Sequence, residues 1–249
     1  YRAYYEHLPL PATARPRGPD MQLYTERRFG DLLTLLMLDE RQYRSHQVCP
    51  TPRKNGGARV YEEDCPEMND PARTMLGATQ EQWFASAMQG ASARWNIIAQ
   101  QTLMAEADRG PQDRHIFWAD GWDGYPMARQ RLLDAIAASP VRDTLVLGGD
   151  VHSFWAADLQ RDFTRPGPAV ATEFVGGSIT SQGPREDSLA PVLRKNPHIR
   201  YARSGVFGYG LAEVGPKSTT MRSKRNEPFQ TSSALSLVIP TTVPKKGPR

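Results

Sequence analysis

The stretch Thr144-Leu145-Val146-Leu147-Gly148-Gly149-Asp150-Val151-His152-Ser153-Phe154-Trp155 decides how this chain is read. Four β-favouring or apolar residues run into two glycines, and a carboxylate and an imidazole follow two positions apart. A buried parallel strand has such an uninterrupted apolar run, and open α/β sheets carry their ligand-binding groups at the carboxyl ends of strands. If the backbone stays extended through Asp150 and His152, their side chains point to the same side and converge on one ion or an adjacent pair. A strand ending in a solvated Asp and a capped His is the structural alternative for so short a pattern.

Working outward, Pro126 opens a helix whose Ala128, Leu132, Leu133 and Ile136 share one face, and Ser139-Pro140 ends it. Just ahead stands a glycine-hinged acidic loop, Asp120-Gly121-Trp122-Asp123-Gly124-Tyr125. Ala93 to Gln100 reads as a strand, and Thr79-Gln80-Glu81-Gln82 as a capping box for a helix carrying Trp83, Phe84 and Met88. Leu32 to Leu38 reads as a strand buried on both faces, stopping at Asp39-Glu40-Arg41-Gln42-Tyr43-Arg44. Residues 1–8 form a Tyr-rich helix ended by Pro9 and Pro11. Downstream, Phe154 to Leu159 and Ala169 to Val175 are two more strands. Strands alternating with helices predict an α/β sandwich, with short meandering strands giving it mixed rather than purely parallel order.

The longest apolar run, Leu32 to Leu38 with one Thr, is far below the roughly 18 residues a membrane span needs. Net charge is +4, yet from Lys217 onward seven Lys or Arg face one acid, Glu227, so the basic character belongs to the tail. The body shows no basic face interleaved with aromatics, which argues against a specific nucleic-acid site. Residues 1–214 therefore read as the folded part. Residues 215–249 read as a basic, unstructured tail with no core-sized pattern apart from Ala234 to Ile239. The two cysteines, Cys49 and Cys65, bracket a polar loop, and a disulfide there would contribute roughly 3 kcal/mol and suit an oxidising compartment.

Ionic residues gather where strands end: Asp39 and Arg41, Asp120 and Asp123, Asp150 and His152. Carboxylates with one His favour calcium, magnesium or ferric iron over structural zinc. An arginine beside them holds phosphate oxygens while metals polarise phosphorus and generate hydroxide. Each has a plainer reading: Asp39 with Arg41 as an ion pair, Asp123 as a helix cap, Arg44 as a surface residue.

Leu38-Asp39-Glu40-Arg41-Gln42-Tyr43-Arg44-Ser45, Arg73-Thr74-Met75-Leu76-Gly77, Gln80-Glu81-Gln82-Trp83, the acidic loop, Gly149-Asp150-Val151-His152-Ser153 and Thr172 to Ser181 follow one another in an informative order. That order resembles the PhoD-type alkaline phosphatases of the metallophosphoesterase superfamily, from Tyr1 to about Val214. The resemblance implies a sandwich of two mixed β-sheets flanked by helices, and an exported, extracytoplasmic enzyme. It also implies hydrolysis of phosphomonoesters and phosphodiesters with Fe3+ and Ca2+. It makes Asp150 and His152 metal ligands, Asp123 the first and Asp120 the second choice for a further ligand, and Arg41 the phosphate contact. The family's early ligands have no counterpart here, so the chain reads as N-terminally truncated, with part of the metal site and weak activity by itself. Rival readings are a phospholipase D-like phosphodiesterase, a non-catalytic module retaining the fold, and a cationic tail that binds anionic surfaces.

Overall fold

The computed structural model describes residues 1–53, 55–111, 113–165, 167–225 and 235–237. In chain order the elements are α1 (Arg2–His7), β1 (Thr25–Phe29), β2 (Leu33–Met37), β3 (Arg59–Tyr61), α2 (Ala78–Gln89), β4 (Trp95–Ala99), β5 (Ile116–Trp118), α3 (Pro126–Ala138), β6 (Thr144–Gly148), β7 (Phe154–Gln160), β8 (Ala169–Val175), α4 (Leu189–Lys195), β9 (Ile199–Arg203), β10 (Gly208–Val214), β11 (Thr219–Arg225) and β12 (Leu235–Leu237). The apolar runs at β2, β4 and β6 become central strands because each can bury both of its faces.

Seven strands make one sheet in the order β1-β2-β4-β6-β8-β7-β9. β2, β4, β6 and β8 run parallel, while β1, β7 and β9 lie antiparallel to their neighbours. On one face, Phe84 and Met88 of α2 and Leu132, Leu133 and Ile136 of α3 share a core with Leu36, Ile98 and Val146. On the other, Ile97, Leu145, Ala156 and Phe174 pack with Val214 and Met221 of the β10–β11 hairpin. Burial on both faces is what allows the central strands to be uniformly apolar.

Two expectations change. In place of two mixed sheets there is one mixed sheet, with helices on one face and the three-stranded sheet β10-β11-β12 on the other. That second sheet is antiparallel, and the four-residue turn between β10 and β11 leaves no room for a crossover. The tail is also not unstructured from residue 215: β11 pairs with β10 from Gly208↔Arg225 to Val214↔Thr219. The turn Gly215-Pro216-Lys217-Ser218, closed by Gly215 N–H to the Ser218 carbonyl at 2.9 Å, joins the two strands and has the Gly-Pro pair typical of a turn. Residues 235–237 of the Ala234–Ile239 run are β12; positions 226–234 and 238–249 lie outside the described residues.

The parallel strands finish in step, with Met37 opposite Ala99, Ala99 opposite Leu147 and Gly148 opposite Val175. Their following loops therefore share one rim of the sheet. No helix among the described residues is long and apolar enough to cross a membrane.

Candidate active site

The loop after β6 departs from the extended path assumed above. Asp150 and His152 have φ of +65° and +54°, so the alternation rule that would place their side chains on one side does not apply. Val151 N–H bonds to the Gly149 carbonyl at 2.7 Å, making a three-residue γ-turn centred on Asp150. Positive φ at the centre of such a turn is the rarer, strained form, and conformations of this kind cost on the order of 1–3 kcal/mol. Ser153 steadies the exit: its hydroxyl donates to the Val151 carbonyl at 3.0 Å and accepts from Trp155 Nε1 at 2.8 Å. Asp150 and His152 are left exposed. His152 Nδ1 lies 3.1 Å from the Gln182 carbonyl. Only a protonated Nδ1 can donate there, which leaves Nε2 in the neutral ring with a free lone pair.

The loop after β2 brings the cation. Asp39 accepts from Arg41 N–H at 3.0 Å and Gln42 N–H at 3.1 Å, bending the chain into a polar turn. Buried Gln80 of α2 clasps the backbone of Asp39 at both ends, accepting from its N–H and donating to its carbonyl, each at 2.8 Å. So held, Arg41 reaches across the rim: Nη2 is 2.9 Å from Asp150 Oδ2 and Nη1 is 3.2 Å from Asp120 Oδ2. Arg44 Nη1 sits 3.0 Å from Asp120 Oδ1, which also accepts from Gln47 Nε2. Asp120 thus has both oxygens taken, whereas Asp150 Oδ2 alone meets Arg41.

Beneath this layer Glu40 is fully buried. Its oxygens accept from Trp122 Nε1 at 2.8 Å and Gln101 N–H at 3.2 Å. Burial pushes the Glu40 carboxyl up to about 8, although Trp122 and the Arg41 charge act against the rise. Glu173 on β8 is pushed up to about 7 by the same cause, despite hydrogen bonds from Met104 and Ala105 N–H.

Of the residues singled out in the sequence, Arg41, Asp120 and Asp150 are brought together, and His152 stands on the same loop as Asp150. Asp123, the first-choice ligand, is not with them. It is buried, with Oδ1 2.6 Å from Arg129 Nη1 and Oδ2 accepting from Ala107 N–H at 3.3 Å. Arg129 of α3 is itself buried and also pairs with Glu106 at 2.7 Å. The short helical turn Trp122–Gly124 sends Asp120 and Asp123 to different partners. Cys49 and Cys65 are joined in a disulfide with Cα atoms 6.1 Å apart. With Glu67 they are the only cluster of three or more His, Cys, Asp or Glu among the described residues with donor atoms all within 4.8 Å of one another, and both sulfurs are already bonded.

Arg44, Gln47, Glu40 and Trp122 were missed as site residues. Arg44 was read as a surface residue, yet three positions from Arg41 in a tight turn it meets the same carboxylate. Trp122 carried a signal in standing between two acids, since a buried indole N–H needs an acceptor.

Among the described residues Asp150 Oδ1 and His152 Nε2 have no hydrogen-bond partner, and Asp150 stands beside a guanidinium fork of the shape that pairs with oxyanions. A family model described as PhoD-like phosphatase matches residues 1–223. The chain is similar to alkaline phosphatase D of Bacillus subtilis (strain 168), 40% identical over 220 residues that make up 87% of this chain and 36% of that one. It is also similar to a solved structure described as the structure of PhoD, with TM-score 0.82 and 35% identity, covering 94% of this chain and 44% of that chain. The chain thus spans less than half the length of each of these relatives.

Proposed function

Because this chain belongs to the PhoD-like phosphatase family, we propose that it hydrolyses phosphate esters at the rim where Arg41 joins Asp120 to Asp150. The observation that carries this reading is the Arg41 guanidinium held between two carboxylates from two other loops, next to a strained turn. Asp120, with three donors on its oxygens, aims Arg41 and Arg44 outward. An incoming phosphoryl group then exchanges with Asp150 for one side of the Arg41 fork, gaining paired charge-assisted hydrogen bonds.

Asp150 Oδ1 and His152 Nε2 are the donors we assign to a metal centre, and their chemistry suits the Fe3+ and Ca2+ that the resemblance implies. Such ions supply a polarised phosphoryl oxygen and a water that ionises near neutral pH. Asp120, Asp150 and His152 do not gather all their donor atoms within 4.8 Å, so we assign this chain part of the coordination rather than a closed site. Phosphomonoesters are the first reading and phosphodiesters the second. The disulfide supports an oxidising, extracytoplasmic setting.

The test is hydrolysis of p-nitrophenyl phosphate and bis-p-nitrophenyl phosphate with iron and calcium, by this chain and by a polypeptide of its relatives' full length. We expect weak turnover by this chain, strong turnover by the longer one, and loss in both on Asp150→Asn. Turnover indifferent to Asp150→Asn and to metal removal would overturn the proposal.

A further inference from the structure

A second cationic site adjoins the loop that carries Asp150 and His152. A cavity of about 260 Å³ is lined by Arg59, Arg109, Val151 and Ser153, with Leu189 and Val192 of α4 as an apolar wall, and no acidic side chain lines it. Arg59 stands on β3, inside the loop that the Cys49–Cys65 disulfide closes. Arg109 Nη1 donates to the Ala107 carbonyl at 3.3 Å, and among the described residues neither arginine has a carboxylate within ion-pair distance.

The acids that act on Arg109 are engaged elsewhere. Asp123 is bound to Arg129 at 2.6 Å, and Asp108 holds His115 at 2.6 Å and Lys195 at 2.9 Å. The hydroxyls at the cavity are also committed, Ser153 to Val151 and Trp155 and Ser188 to the Arg185 carbonyl. Burial lowers the Arg109 pKa, the charges of Asp123 and Asp108 act against the fall, and the like charge of Arg59 adds to it. Two guanidiniums facing one cavity, the half-buried Arg109 and the exposed Arg59, neither with an ion-pair partner among the described residues, form an arrangement that an anion relieves by offsetting their mutual repulsion. Their planar forks suit a tetrahedral oxyanion. At roughly 30 Å³ per water, the volume takes such an ion with several waters.

We propose that Arg59 and Arg109 form an oxyanion site for a phosphate-sized ion, separate from the Arg41 rim and in contact with Val151 and Ser153. Those residues alternate with Asp150 and His152 along the loop, so an ion in the cavity braces the turn on which the metal donors stand. The site is distinct from the Arg41 rim, because Arg41 is ion-paired with Asp120 and Asp150 whereas among the described residues Arg59 and Arg109 make no ion pair.

The experiment is calorimetric titration of inorganic phosphate into the chain, at low ionic strength in buffer stripped of metal on a chelating resin. Amide shifts of Val151 and Ser153 are followed in parallel. A saturable site that shifts the Val151 and Ser153 amides is expected, whether or not the Arg41 rim also takes phosphate. Arg109→Gln and Arg59→Gln should each weaken it at least tenfold, Arg109→Lys should weaken it less, and Arg41→Gln should change it by no more than twofold. Absence of saturable binding, or binding lost with Arg41→Gln and kept with Arg59→Gln, would overturn the site. Arg59 is exposed on its strand, so its variant decides the matter even if the Arg109 variants do not fold. Metal-free binding keeps the result distinct from the success or failure of ester hydrolysis.

Discussion

Arg41 Nη2 lies 2.9 Å from Asp150 Oδ2 although 109 positions separate the two residues. The other arm of the same guanidinium reaches Asp120, 79 positions away, so one side chain ties together the loops after β2, β5 and β6. The side chains are partly exposed, 35% for Arg41 and 46% for Asp150, and such pairs contribute about 1 kcal/mol or less to stability. Their importance is electrostatic: a cation is held at a fixed place on the sheet rim.

Replacing Arg41 tests the fork. In the full-length setting, Arg41→Gln should lower kcat/KM for p-nitrophenyl phosphate by roughly 100-fold or more. Arg41→Lys should recover only a small part of that loss, because an ammonium cannot make the paired contact. Thermal melts of both variants should stay close to those of the parent, which separates lost chemistry from lost folding.

Asp123 and Asp150 should part company when each is changed to Asn. Asp123→Asn leaves Arg129 with one fewer carboxylate in a buried site, and breaking such a pair costs about 3–5 kcal/mol. Urea unfolding should show that loss, and calcium or iron binding by the surviving folded fraction should be unchanged. Asp150→Asn should leave the midpoint nearly in place and weaken metal binding by roughly tenfold or more. Equal effects on metal binding would return Asp123 to the ligand set.

Glu40 makes stability depend on pH. Its unfolded carboxyl ionises around 4.5, whereas burial holds the folded one protonated up to about 8. Between those values the unfolded chain has released a proton that the folded chain keeps. The stability Glu40 contributes is therefore complete below pH 4.5 and is lost as pH rises through 8. Glu173 adds the same trend up to about 7. Glu40→Gln should lower the midpoint at pH 5, because one of the donors Trp122 Nε1 and Gln101 N–H loses its acceptor. It should also flatten the decline between pH 5 and 8 in a series of thermal melts.

Reducing the Cys49–Cys65 bridge should cost about 3 kcal/mol by releasing the loop it closes. β3 lies in that loop and pairs with β5, which leads directly to Asp120. Reduction, or Cys49→Ser with Cys65→Ser, should accordingly lower the melting temperature and ester turnover together, and reoxidation should restore both in the wild-type chain.

The strands and helices were largely legible in the sequence, because each announces itself over a few neighbouring residues. The β2, β4 and β6 runs, the helix after Pro126 and the alternating elements all follow from local periodicity, and the ordered motifs pointed to the family. The β11 strand was not seen: its pattern is short, polar and cationic, and it is stabilised by pairing with β10 and by Met221 packing on the large sheet.

What the sequence by itself determined was the sheet, its helices and the supply of acids, one imidazole and arginines at strand ends, since these depend on side-chain character repeated at short range. Only the tertiary structure decided which acid met which base. It gave Asp123 to Arg129 and Asp120 to Arg41 and Arg44, and turned Asp150 and His152 out of the extended path at positive φ. Those outcomes hang on contacts between residues as far as 109 positions apart and on the backbone angle at two residues, and neither quantity is written in the spacing of the letters.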